Sequence, residues 1–126
     1  MTAERPVSLS LLGLFAAMPV TAVASILHRI TGIVLFAGAL YLCYLLDLAL
    51  GDQGGFARAA VVLATPAGKL ALWAILAALG YHLLAGVKHL LLDFHVGDTL
   101  TGARFASWVS IVLAVLAAVA AAFWLW

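Results

Sequence analysis

Hydrophobic residues run along most of this chain, and charges interrupt them only at intervals. Uncharged stretches cover 6–28, 30–46, 59–68, 70–87 and 105–126. A helix needs about 20 largely apolar residues to cross a hydrocarbon core about 30 Å thick. The stretches 70–87 and 105–126 meet that length, the first extending past Lys69 and Lys88, whose long side chains can snorkel from helix ends. The stretch 30–46 is short, so a span there borrows residues before Arg29. The pattern predicts three helices, about Val20–Leu48, Pro66–Phe94 and Arg104–Leu125. Gly51-Asp52-Gln53-Gly54-Gly55 and the segment His95–Gly102 carry the turn signals between them. Trp73, Trp108, Trp124 and Trp126 fall near helix ends, as interfacial aromatic belts do. The expected fold class is an all-α membrane protein, three transmembrane helices running up-down-up within one membrane domain over 1–126.

Pro6–Leu27 admits rival readings. A fourth crossing would have to reverse within Leu27–Ile30, which has no Gly, Asn or Pro, and would expose backbone groups to lipid. A signal peptide has its parts here too: Arg5, the apolar Leu9–Ala17, Pro19 and an Ala22-Val23-Ala24 cleavage pattern. Against it stand Glu4 in the basic start and apolar character that runs on past the cut. The preferred expectation is an amphipathic, partly re-entrant lead-in over Val7–Met18, then a helix from about Pro19.

Composition narrows the class further. Hydrophobic residues make up 67% of the chain and charged ones 9%, and the mean hydropathy is +1.25. That excludes a soluble globular enzyme and a disordered tail. A net charge of +1 gives no footprint for nucleic acid. Cys43 stands alone, so neither a disulfide framework nor a thiolate zinc site is available. Arg5, Arg29, Lys88 and Arg104 fall on the side of the N-terminus, against Arg58 and Lys69 on the other. The positive-inside rule then puts the N-terminus in the cytoplasm.

Polar residues inside helices carry the candidate chemistry, because each costs insertion free energy, about 3 kcal/mol for a charged group. On the second helix His82, Gly86, His89 and Asp93 are spaced 4, 3 and 4 and share one face. His82 lies deep, near the bilayer middle, where a neutral imidazole finds no water. Gly86 leaves a notch where a flat ligand or a partner helix could approach. An imidazole beside such a notch suits axial haem ligation. It equally suits a hydrogen bond to a neighbouring helix, with the glycine serving packing alone. His89 and Asp93, nearer the surface, fit a solvated or mutually paired role. On the first helix Thr21, Ser25 and Arg29 repeat every four residues, with His28 about 100° away. Ser25 and Arg29 could donate hydrogen bonds to a carbonyl oxygen that gains negative charge on reduction. Alternatively, Ser25 bonds back to the Thr21 carbonyl and Arg29 snorkels to lipid phosphate.

The same residues resemble a known family. Arg5-Pro6-Val7 followed by Ser25-Ile26-Leu27-His28-Arg29-Ile30-Thr31-Gly32 is similar to the first signature of the cytochrome b556 subunits of succinate dehydrogenase, respiratory complex II. His82-Leu83-Leu84-Ala85-Gly86-Val87-Lys88-His89-Leu90-Leu91-Leu92-Asp93 resembles the second. The resemblance implies a three-span anchor in the bacterial inner membrane, N-terminus cytoplasmic, paired with a second membrane-anchor subunit. Both anchors would carry an iron–sulfur subunit and, through it, a flavoprotein subunit. It implies His82 as an axial ligand of haem b, with the other axial histidine from the partner anchor. By the same resemblance Ser25 and Arg29 line the ubiquinone site and His28 lies near the haem propionates. The chain would then be a non-catalytic subunit of succinate:quinone oxidoreductase, an electron-transport complex that also serves the tricarboxylic acid cycle. The sequence departs from the family pattern at Lys88, where arginine is usual, and in the apolar lead-in. Three other expectations stand beside this one: a structural anchor without cofactor, the membrane subunit of a fumarate reductase, and a small transporter subunit. The third helix, polar only at its ends, offers a transporter no pathway.

Overall fold

A computed structural model describes residues 18–126 of the chain. The lead-in expected over Val7–Met18 lies outside the described residues except for Met18. Four helices follow: α1 Val20–Leu50, α2 Gly55–Ala64, α3 Pro66–Asp93 and α4 Leu100–Leu125. Helices α1, α3 and α4, of 31, 28 and 26 residues, are long and apolar enough to cross a membrane. At about 1.5 Å per residue α1 is about 46 Å long, more than the hydrocarbon core requires, so it tilts or projects beyond it.

Local chemistry sets each boundary. Pro19 has extended backbone, and its carbonyl accepts from Ala22 N at 2.9 Å and Val23 N at 3.2 Å to start α1. Thr65 ends α2 and begins α3 in one residue. Its hydroxyl donates to the Val62 carbonyl at 2.7 Å and accepts from Gly68 N at 3.0 Å, with Pro66 at the first helical turn. Thr99 caps α4 in the same way, accepting from Gly102 N at 3.1 Å. That cap starts the last helix at Leu100, ahead of the Arg104 expected from the charge pattern. Between α3 and α4, His95 and Gly97 reverse the chain with φ of 59° and 73°.

The short helix α2 was not expected. Its apolar run is too short to span a membrane, and it sits between turn signals. The turn is made by Asp52, whose carboxylate accepts from Gly54 N at 2.8 Å and pairs with Arg58 at 2.8 Å. Gly55 then lets α2 lie directly against the end of α1. A Cβ there would collide with the Leu48 carbonyl and stand 2.8 Å from that of Ala49.

The spans alternate in direction. His28 of α1 meets His82 of α3, while Gly38, further along α1, packs on Ile75, earlier in α3. Likewise Lys88 faces Ser107 and Trp73 faces Ala118 across α3 and α4. Helix α3 is the common element, packed against both α1 and α4, which touch each other less. The interior is built of small residues and two larger fillers: Ala24, Ala78, Ala85, Ser107 and Ala114 are buried around Tyr81 and Ile75. Small residues let backbones approach closely where lipid offers helices no hydrophobic drive to associate. Large apolar side chains such as Phe36, Leu40, Leu83, Leu116 and Phe123 point outward. An apolar exterior over a small-residue interior is the arrangement of a multi-pass membrane protein, the class that composition predicted.

Two expectations about side chains change here. Trp73 does not serve only as an interfacial anchor: its indole N–H donates to the Ala118 carbonyl of α4 at 2.9 Å. Lys88 does not snorkel to the surface. It is 5% exposed and its ammonium lies 3.4 Å from the Ser107 hydroxyl. The reason is its position on the stripe Tyr81–Ala85–Lys88, which faces the other helices.

Candidate functional site

Near the start of α1 and the end of α3 the two helices meet through imidazoles. His82 lies about 16 Å inside the Asp93 end of α3 at 1.5 Å per residue. His28 of α1 stacks on it with ring centroids 4.0 Å apart and planes 14° from parallel. His89, about two turns further along α3, tilts against the other side of His28 at 5.2 Å and 56°. His28 thus sits between two rings of α3, above Gly86.

A glycine of each helix lies at this contact, and the packing requires one of them. A Cβ on Gly32 of α1 would stand 3.3 Å from His82 Cε1, closer than carbon atoms normally settle. A Cβ on Gly86 would stand 3.7 Å from His28 Nε2, an ordinary contact. The notch at Gly86 is therefore filled by His28 of the same chain. The tighter constraint is at Gly32, which the sequence groups with Thr21, Ser25, His28 and Arg29 on the first helix but to which it assigns no role.

Hydrogen bonds define the protonation of His82. Its Nδ1 lies 3.1 Å from the His28 carbonyl oxygen and 3.2 Å from Thr31 Oγ1. A carbonyl can only accept, so Nδ1 carries the proton in the neutral ring. Thr31 Oγ1 in turn lies 2.9 Å from the Leu27 carbonyl and 3.0 Å from that of His28. Its hydroxyl proton goes to one of these, which leaves its lone pairs facing Nδ1–H. Every donor in this triangle has an acceptor, and the remaining nitrogen, Nε2, keeps a lone pair. Metal-bound imidazoles have this arrangement, the second ring nitrogen donating to a backbone carbonyl. His28, His82, Gly86 and His89 line an open groove of about 430 Å³ together with Leu83 and Leu90. Stacked rings turn faces rather than lone pairs to one another, and among the described residues no three His, Cys, Asp or Glu side chains form a chelating set. A macrocycle that brings its own four equatorial nitrogens needs one imidazole from this helix, and the groove offers it. The residues fit a haem.

The other sequence candidates are placed differently. His28 and Arg29 are neighbours on α1 but diverge: His28 turns to α3, and Arg29 is exposed. The ion pairs among the described residues are Arg58–Asp52 and His95–Asp98, so Arg29 has none among them. Ser25, one turn from Arg29, is half-buried. Among the described residues the hydroxyl on α1 that bonds back along the helix is Thr31's, not that of Ser25. His89, expected to be solvated or paired with Asp93, is half-buried against His28. Thr31 stood within the quoted motif with no role assigned. Its spacing from Leu27 allowed back-bonding, yet only the packing of α3 gives that hydroxyl a second partner. Tyr81, buried beside the site, donates its hydroxyl to the Ala24 carbonyl at 2.7 Å and ties α3 to the start of α1.

Comparison with known proteins gives this geometry a context. A family profile described as the succinate dehydrogenase/fumarate reductase transmembrane subunit matches residues 1–122. The chain belongs to that family. It is similar to the succinate dehydrogenase cytochrome b556 subunit of Coxiella burnetii, 35% identical over the full length of both chains. The subunit of the same description from Paracoccus denitrificans is 39% identical over 79% of each chain. That from Rickettsia felis is 30% identical over 79% of this chain and 77% of its own. As a transmembrane subunit of the succinate dehydrogenase/fumarate reductase family, the chain is one membrane component of a larger complex.

Proposed function

We propose that this chain is the haem-bearing anchor of a succinate:ubiquinone oxidoreductase, with His82 Nε2 an axial ligand of haem b. The observation that carries the proposal is the commitment of His82 Nδ1 to the His28 carbonyl, which leaves Nε2 bare in the groove. When bound, a haem b supplies one-electron storage beside the quinone. The chain's own residues hold and orient. His82 presents its lone pair in a fixed direction because its other nitrogen is tethered to α1. His28 stands beside it in the same groove, where it would lie near a haem propionate. With one deep imidazole on this chain, a second ligand to the iron would come from the second membrane-anchor subunit. The iron–sulfur and flavoprotein subunits would bind on the same side.

Arg29 and Ser25, one helical turn apart, are the residues proposed to bind ubiquinone. A guanidinium and a hydroxyl donating to one quinone carbonyl favour the negative charge that develops there on reduction. Arg29 is exposed on α1, which leaves its guanidinium accessible to a ligand. The cationic residues Arg29, Lys88 and Arg104 gather at the end of the bundle that holds the histidines, while Arg58 and Lys69 mark the other. Four basic residues against two, counting Arg5, favour a cytoplasmic N-terminal end, and the proposed membrane is a bacterial inner membrane.

A second reading has an observation in its favour. The His82 hydrogen bonds join α3 to α1, so His82 could be a clamp in an anchor without cofactor. The reduced-minus-oxidised absorption spectrum of the purified complex separates the two. The haem reading expects a b-type band that His82→Ala removes or shifts; a band unchanged by that substitution, or none in the parent complex, supports the clamp alone. For the quinone role, Arg29→Ala lowers quinone reduction while electron transfer to a soluble acceptor continues. Equal loss of both would assign Arg29 to assembly.

A further inference from the structure

Thr31 belongs to no motif role described above, yet it is the side chain nearest to His82 Nδ1. Its Oγ1 lies within hydrogen-bond distance of three groups: the Leu27 carbonyl at 2.9 Å, the His28 carbonyl at 3.0 Å and His82 Nδ1 at 3.2 Å. One hydroxyl has one proton and two lone pairs. With the proton given to a carbonyl of its own helix, the oxygen can only accept from His82. The His28 carbonyl accepts from the same Nδ1–H at 3.1 Å. The imidazole N–H is therefore shared between two acceptors that belong to α1 and are fixed relative to each other by a helical turn.

Two consequences follow from this forked bond. A ring held by one acceptor can pivot about that contact; a ring held by two is fixed in rotation as well as in tautomer. Gly32, the next residue, brings α1 close enough for the fork to reach, since a Cβ there would press on His82 Cε1. Each acceptor on Nδ1–H also draws the proton outward and raises the electron density at Nε2, which strengthens that nitrogen as a donor.

We infer that Thr31 is a positioning residue for the iron ligand: through its lone pair it sets the rotation of His82 and tunes the donor strength of Nε2. This rests on the proposed haem ligation by His82. It goes beyond that proposal in making the potential and the retention of the haem depend on a hydroxyl of the other helix. A stronger imidazole donor favours the oxidised iron, so losing one acceptor raises the midpoint potential.

Thr31→Val removes the hydroxyl at nearly constant shape, and Thr31→Ser keeps the hydroxyl while trimming a methyl group. Both variants are measured in the assembled complex, with haem expressed per flavin so that assembly yield cancels. The readouts are haem transfer to excess apomyoglobin and the midpoint potential by redox titration. For Thr31→Val the expected result is about tenfold weaker haem retention, the lower range for loss of a hydrogen-bond partner behind a metal-bound imidazole, and a higher potential. Thr31→Ser restores both. Thr31→Ala, which lacks the hydroxyl without adding bulk, should follow Val. Val and Ala complexes that keep parental retention and potential would overturn the inference, as would a Ser complex as impaired as Val. His82→Ala, run alongside, separates the layers. If its band disappears while Thr31→Val changes nothing, the ligand stands and the positioning role falls. If its haem is unaltered, the ligation fails and takes the positioning role with it.

Discussion

The two ends of the bundle are held together in opposite ways. At the histidine end, α1 and α3 interlock side chains: His28 enters between His82 and His89, and Gly32 gives way to His82. Polar atoms there are paired across helices, through Thr31, the His28 carbonyl and the Tyr81–Ala24 bond. At the opposite end the chain turns through α2, and backbone lies on backbone. Gly55 rests against the carbonyls of α1, and Gly68 against the Val62 carbonyl of α2. The charges at that end, Asp52 and Arg58, pair with each other in an exposed turn. One end spends its polar groups on a site, and the other uses them to make a corner. A membrane protein has few polar side chains, and burying one is tolerated where it finds a partner. The location of polar atoms paired across α1 and α3 therefore separates the candidate-site end from the corner better than the count of charges does.

Substitution at the corner should have the largest effect on stability. Gly68→Ala drives a Cβ into the Val62 carbonyl and to 2.9 Å of Leu63 Cα. Backbone atoms have little room to yield, so the cost should be at least about 1–3 kcal/mol. It should appear as a lower melting temperature of the detergent-solubilised complex, with the haem spectrum of the surviving fraction unchanged. A Gly68→Ala complex as stable as the parent would show that the corner is not rigid.

The glycine pair at the histidine end sharpens the contrast. Gly32→Ala places a methyl 3.3 Å from His82 Cε1, whereas Gly86→Ala meets His28 Nε2 at 3.7 Å. Gly32→Ala should therefore displace the His82 ring and alter the low-temperature difference spectrum. Gly86→Ala should leave it close to the parent's, and a larger change from Gly86→Ala would reverse the order of the two contacts.

Single cross-helix hydrogen bonds should matter less. Tyr81→Phe and Trp73→Phe each remove one donor to a carbonyl of another helix. Cross-helix bonds in membranes are worth about 0.6 kcal/mol on average, because the separated helices also find partners. Thermal denaturation should show a small loss for each, and the two should be nearly additive since they lie on different contacts.

The smallest effect belongs to the exposed turn. The Arg58 guanidinium, with the Gly54 N–H, holds the Asp52 carboxyl below the usual carboxylate range. A depressed folded value means stabilisation that is present above the ordinary carboxylate pKa and is lost only as pH falls through the lower folded one. Between pH 6 and 8, on the order of two units of ordinary working range, Asp52→Asn should leave the melting temperature almost unaltered. The difference from the parent should shrink further in acid. A large loss of melting temperature on Asp52→Asn near neutral pH would mean that the turn contributes more than its exposure suggests.

The spans were legible because apolar length is a one-dimensional property. Their ends were less so: Leu100 starts α4 because Thr99 caps it, and a cap depends on local geometry rather than on the run of hydropathy. Helix α2 is not legible because a ten-residue helix that carries Arg58 and lies between turn signals meets no length criterion. At the site, His82 and Gly86 stood out by spacing on one helix, and His28 by a motif on another. What spacing could not say was which helix would face which notch. Lys88 reads as a snorkelling cation from its place near a helix end, and its burial against Ser107 follows only from the face it occupies.

By itself the sequence determined that the chain lives in a membrane, that it crosses three times, and that its polar chemistry is concentrated in two short motifs. Those follow from composition and from periods along one helix, which every residue carries with it. The tertiary structure alone decided that the two motifs share a groove and that His28 fills the notch at Gly86. It also decided that Thr31 and a backbone carbonyl of α1 hold the Nδ1 proton of His82. Hydrogen bonds between helices join residues more than fifty positions apart in the chain, and such pairings exist only once the helices have packed.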